Sequence, residues 1–150
     1  MQVWRVPVAG GMPEPLTDGG YTAQVDYSPD GTALVYQRHD GVGFDIYVVP
    51  SAGGVASQLT TGEADDGSPR WSPNGASVAF LSGPPESRLL QVMSAAGDGA
   101  TPLTNAAGAV GGYDWLPDGS GLVYSLRESR ANIWRAEVSR LLGLAGTAAP

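Results

Sequence analysis

The 150-residue chain has no cysteine, no lysine and a single histidine, His39. Without cysteine there is no disulfide, no thiol nucleophile and no thiolate-ligated zinc. The compartment stays open, because reducing and oxidising locations both admit such a chain. Without lysine the phosphate loop that closes on Gly-Lys is excluded. One histidine and no Gly-x-Ser-x-Gly pentapeptide leave nothing from which to assemble a serine-hydrolase triad. A transition-metal cluster built on imidazole and thiolate lacks its ligands as well. No apolar run approaches the roughly 18 residues of a membrane-spanning helix, and no basic and then apolar N-terminal stretch reads as a signal peptide. Positive charge is scarce. The eight basic residues are all arginine against fifteen acidic ones, a net charge of −7 that argues against nucleic-acid and anionic-membrane partners.

What the chain does have is glycine, proline and a repeat. Twenty-two Gly and twelve Pro accompany a 42% hydrophobic share, so they punctuate many short strands within a folded core. Asp26-Tyr27-Ser28-Pro29-Asp30-Gly31 recurs as Arg70-Trp71-Ser72-Pro73-Asn74-Gly75 and as Asp114-Trp115-Leu116-Pro117-Asp118-Gly119, with the prolines 44 residues apart both times. The triplets Leu34-Val35-Tyr36, Val78-Ala79-Phe80 and Leu122-Val123-Tyr124 keep the same period. Gln58-Leu59-Thr60 is answered by Pro102-Leu103-Thr104, and Pro15-Leu16-Thr17 precedes it by 43. A fixed period of this length is the signature of a repeat architecture.

Each period predicts four short strands. The first ends on the aromatic before Ser-Pro, and a Pro-Asp/Asn-Gly turn reverses the chain, Pro presetting φ and Gly accepting a positive one. The apolar triplet is the second strand. A polar loop leads to the third (Ile46-Tyr47-Val48-Val49, Leu89-Leu90-Gln91-Val92, Ile133-Trp134-Arg135-Ala136), and a Gly-rich turn to a fourth ending in Leu-Thr. The triplets are apolar at consecutive positions, which calls for cover on both faces of the sheet. Stacked propeller blades provide that cover, whereas a parallel solenoid conflicts with the antiparallel hairpin signals. Matched recurrence of Tyr27, Trp71 and Trp115, and of Tyr47 and Trp134, assigns these rings to blade packing.

The order Trp-Ser-Pro-Asp/Asn-Gly, apolar triplet, Ile-Tyr, Gly-Gly, Leu-Thr resembles the WD40-like repeat typified by TolB-like β-propellers, over residues 2–138. The resemblance implies an all-β chain of blades with four antiparallel strands: a half blade at 2–17, blades at 26–60 and 70–104, a partial blade at 114–138 and a tail at 139–150. In the last repeat Leu116 replaces Ser, and no Gly-Gly turn or Leu-Thr strand follows 138, so the tail is either a substitute edge strand or unstructured. Propellers of this kind serve as partner-binding modules, periplasmic or secreted in bacteria, and as the gating domain of prolyl-oligopeptidase-type serine peptidases. The resemblance therefore implies a non-catalytic protein or peptide binder without cofactor, and fold alone names no ligand.

About three and a half blades leave a ring unclosed, since closed propellers carry roughly four to eight. The expectations are a homodimer sharing the split blade in a ring of about six, a piece of a larger propeller, or an excised or designed half-propeller. The densest acidic stretch, Glu63-Ala64-Asp65-Asp66-Gly67, offers oxygen ligands but not the spacing of a calcium loop, and reads as a solvated loop. In TolB-like propellers such inter-blade loops border one mouth of the channel. Glu63, Asp65 and Asp66, with Arg70 and Asp114 at neighbouring strand starts, are accordingly the candidate binding residues. No metal site and no catalytic residue is expected, and His39 is read as a solvated loop residue.

Overall fold

A computed structural model describes residues 1–105, 108–127 and 132–137. The expectation for the tail at 139–150 falls outside them. All thirteen described elements are strands, and all pair antiparallel. β1 (Trp4–Arg5) and β2 (Glu14–Pro15) form a two-stranded half sheet. The first blade is β3 (Tyr21–Tyr27), β4 (Ala33–His39), β5 (Phe44–Pro50) and β6 (Ser57–Gln58). The second is β7 (Asp66–Trp71), β8 (Ser77–Ser82), β9 (Leu89–Ser94) and β10 (Thr101–Pro102). The third is β11 (Ala109–Trp115), β12 (Gly121–Arg127) and β13 (Asn132–Glu137).

The apolar triplets explain how the sheets stack. Side chains alternate across a strand, so neighbouring residues of one triplet serve opposite joints. On β4, Leu34 and Tyr36 pack with Leu16 of the half sheet, while Val35 joins Ile46 in packing on the second blade. On β8, Val78 and Phe80 face that first blade, and Ala79 and Leu81 face Leu122, Tyr124 and Leu126 of the third. Burial on both faces is the reason these strands read as continuous apolar runs.

The first two turns repeat the same side-chain bonds. In the first, Ser28 Oγ donates to Asp30 Oδ1 at 2.6 Å and accepts from the Ala33 amide at 3.0 Å. In the second, Ser72 Oγ donates to Asn74 Oδ1 at 2.7 Å and accepts from the Ser77 amide at 2.9 Å. Gly31, Gly75 and Gly119 close the three turns at φ near +70°, which explains the glycine there. With Leu116 in place of serine, the third turn lacks the hydroxyl bonds and keeps the backbone pair Leu116 N to Gly121 O and Gly119 N to Leu116 O. Ser72→Ala is expected to lower stability by about 1 kcal/mol, because it strips the half-buried Ser77 amide of its acceptor; urea unfolding checks it.

Two strand limits differ from the sequence expectation. The fourth strands stop before Leu-Thr, because the threonine hooks back instead of extending the ladder. Thr17, Thr60 and Thr104 Oγ1 accept from the amides of Val3, Ile46 and Leu90 at 3.1, 2.9 and 3.0 Å. The leucine before each donates its own amide to the carbonyl of that same residue. The first strands begin earlier than the aromatic turn marker shows, at Tyr21, Asp66 and Ala109. Their opening residues carry no common apolar pattern.

Candidate interaction surface

The first strands of the three blades, β3, β7 and β11, are edge strands of their sheets and form the inner wall of the stack, β3 against β7, with β11 reaching β7 through the Tyr113 and Trp115 side chains. Each is broken by a register shift, at equivalent places between Ala23 and Asp26 and between Gly67 and Arg70, and slightly earlier on β11, between Val110 and Gly112. At the first two bulges a non-glycine residue takes a left-handed backbone, Gln24 at φ 49° and Ser68 at φ 54°. Such a conformation costs about 1–3 kcal/mol unless the surroundings hold it. At Ser68 they do. Its amide donates to Gln37 Oε1 of the first blade at 3.0 Å. Its carbonyl accepts from the Tyr113 hydroxyl of the third blade, which also lies 2.8 Å from the Ala79 carbonyl. Burial pushes the Tyr113 phenol well above its ordinary range, so the hydroxyl remains a donor.

A cavity of about 330 Å³ opens over these bulges, lined among others by Gln24, Val25, Ser68, Arg70, Gly112 and Tyr113. Two residues further along each strand, Asp26, Arg70 and Asp114 stand at equivalent positions. Asp26 Oδ2 accepts from the Trp71 amide at 2.8 Å, and its Oδ1 lies 3.8 Å from Arg70 Nη1. The Arg70 carbonyl accepts from Trp115 Nε1 at 3.2 Å. Asp114 Oδ1 accepts from the amide of its own neighbour Trp115 at 2.9 Å. The wall thus combines polar side chains, bulged backbone and one loosely paired guanidinium.

The five residues expected to form one site separate into two groups. Glu63 and Asp65 are exposed where the chain passes between blades, ahead of β7. Asp65 already serves the joint: its Oδ1 accepts from the Phe44 amide at 3.0 Å and its carbonyl from Gly83 N at 3.0 Å. Asp66 is turned inward and only 7% exposed, which corrects its reading as part of a solvated loop. Arg70 and Asp114 are near the far ends of their strands, not the starts. At about 3.3 Å per residue, roughly 13 Å of strand separates Arg70 from Asp66. The early start of β7 is the reason. Gln24, Ser68, Gly112 and Tyr113 were not anticipated; the first three share the 44-residue spacing, but nothing in their chemistry marks them. His39 closes β4, and its Nδ1 accepts from the Gly41 amide at 3.1 Å.

Sheets of this form, stacked through paired apolar faces and joined at a common inner wall, are consecutive β-propeller blades. The chain superposes on a putative TolB from Agrobacterium tumefaciens with TM-score 0.80 and 23% identity, covering 91% of this chain and 53% of that one. TolB from Acinetobacter baumannii gives TM-score 0.76 and 18% identity over 91% of this chain and 35% of that one. A puromycin-hydrolyzing peptidase of Mycobacterium tuberculosis gives 0.71 and 18%, over 86% of this chain and 22% of the peptidase. In sequence, 80 residues are 32% identical to the uncharacterized protein Atu1656 of Agrobacterium fabrum, 53% of this chain and 27% of that protein. No protein-family model matches. The chain spans about half the length of these proteins or less.

Proposed function

We propose that the chain is a non-catalytic interaction module whose inner wall receives a protein or peptide partner, in a ring completed by a second copy. The observation that carries this reading is the bulged wall of β3, β7 and β11, where a cavity and exposed polar groups converge without a nucleophile–base pair among the described residues. Support for completion by further blades comes from the matched aromatics. Trp115 is 9% exposed beneath the second blade, while Tyr27, at the equivalent place on the first, is 46% exposed. Tyr21 and Val25 are exposed on the same strand. A third blade from a second copy would offer Asp114 to the Tyr27 amide as Asp26 serves Trp71. It would also bring Asp114 near Asp26, so association strengthens with salt as that repulsion is screened.

Light scattering on a size-exclusion column, at several concentrations and two ionic strengths, tests the reading. A compact dimer that tightens in salt is the expected result. A monomer at every concentration rules out the two-copy ring. The second reading is the propeller part of a serine peptidase, favoured by the likeness to the puromycin-hydrolyzing enzyme. A gene continuing beyond residue 150 into a domain with a nucleophile elbow would establish it.

A further inference from the structure

The joint between the first and second blades buries two carboxyl groups where the next joint has apolar residues. Asp45 on β5 is 4% exposed and Asp66, the first residue of β7, is 7% exposed. Asp45 is satisfied, accepting from Gln58 Nε2 at 2.9 Å and Thr60 Oγ1 at 3.2 Å. Asp66 is not. Its carboxyl lies against Ser82, its cross-strand partner, and Thr60, yet Oδ1 has no hydrogen-bond partner. The charges bearing on the pair from the neighbouring loops, Asp40 and Asp65, are both acidic. In the next repeat the equivalents are Leu89 and Val110, which carry no charge, while the threonine persists as Thr104. The two joints thus share a hydrogen-bonded threonine and differ in their acids.

We infer that the cluster Asp45–Thr60–Asp66–Ser82 is a proton-controlled latch between the first two blades, closed when the pair holds a proton and loosened when both carboxyls ionise. The inference rests on the proposed use of the inner wall, because Asp66 opens the strand that carries the Ser68 bulge two residues on. Asp65, next to it, ties down Phe44 across the same joint and Gly83 at the end of its own blade's β7–β8 pair. The direction follows from linkage. Burial, first among the causes, raises the carboxyls of both Asp66 and Asp45 above the ordinary range. The folded joint therefore binds protons more readily than the unfolded chain. Its stabilisation is complete below the ordinary carboxylate range and is lost as pH rises through the raised folded values. Asp30 and Asp40 are shifted the other way by hydrogen bonds, but they are fully exposed and lie outside the joint.

Amide hydrogen exchange, corrected for intrinsic pH dependence, reads the latch without any partner. Protection of the Phe44, Trp71 and Gly83 amides is expected to fall from pH 5 to pH 8, by about tenfold for each unit of upward shift. Amides in β11 and β12 serve as the internal control and stay level. Asp66→Asn abolishes the dependence; should that variant not fold, Asp45→Asn reduces it. Equal protection across the range in the native chain, or an unchanged dependence in a folded Asp66→Asn variant, overturns the latch. Failure to find a partner or a dimer leaves this measurement untouched, and a flat exchange profile leaves the interaction reading standing.

Discussion

Replacing Phe80 by alanine is expected to cost about 3–5 kcal/mol of unfolding free energy and to split one transition into two. Phe80 is 1% exposed, at the centre of β8, and packs with Val35 and Ile46 of the first blade as well as Val78 and Met93 of its own. Removing the ring leaves a void between sheets that have no covalent reason to stay together apart from one connecting segment. In a repeat array each unit is stabilised by its neighbours, so weakening one joint lets the blades unfold at different denaturant concentrations. Urea unfolding followed by far-ultraviolet circular dichroism and by tryptophan emission would show the two probes separating. Coincident curves with a loss below about 1 kcal/mol would mean that the joint is not held by this cluster.

Gly97→Ala is expected to cost roughly 2–3 kcal/mol, against about 1 kcal/mol for Gly53→Ala at the equivalent position one repeat earlier. Both glycines sit at positive φ, 91° and 84°, so an alanine is strained at either. Their surroundings differ. A Cβ on Gly53 meets nothing within 4 Å, whereas on Gly97 it would lie 3.1 Å from the Leu59 carbonyl oxygen and 3.2 Å from the Leu59 Cα. Those are backbone atoms held by the Leu59 amide's bond to Ile46, and they cannot yield without moving the end of the first blade. Thermal unfolding of the two variants side by side isolates the inter-blade part, since the cost of the dihedral is shared. Equal losses would place the whole effect in the turn.

The contrast between what the repeat declared and what it hid has a physical origin. Ser28-Pro29-Asp30-Gly31 was readable because its chemistry is contained within six residues: a hydroxyl, a side-chain acceptor and one positive φ. The triplets were readable because burial on both faces suppresses alternation, and nothing else produces Val78-Ala79-Phe80 between two polar turns. Leu59-Thr60 read as the end of a strand, since neither residue announces that the hydroxyl will reach back fourteen positions to Ile46. The inner wall was harder still. The bulge at Ser68 is fixed by Gln37 and Tyr113, residues of the two other blades, and no local pattern encodes those contacts. Asp66 illustrates the same limit. In an acidic run it resembles its solvated neighbours, and only the pairing of β7 with Ser82 turns it inward.

Three of the bonds that fasten one blade to the next span the same distance along the chain. Trp71 N to Asp26, Tyr113 to the Ser68 carbonyl and Trp115 to the Arg70 carbonyl each connect positions 45 residues apart. The turns nest at a regular interval one residue longer, Gly75 against Pro29 and Gly119 against Pro73. A recombination event that duplicates or excises one whole 44-residue unit therefore keeps the turns and blade strands in register, wherever in the unit the crossover falls. An insertion of a few residues within a strand has no such protection. Gene duplication can lengthen or shorten such an array without designing a new contact, while the identity of the side chains on the inner wall remains free to diverge.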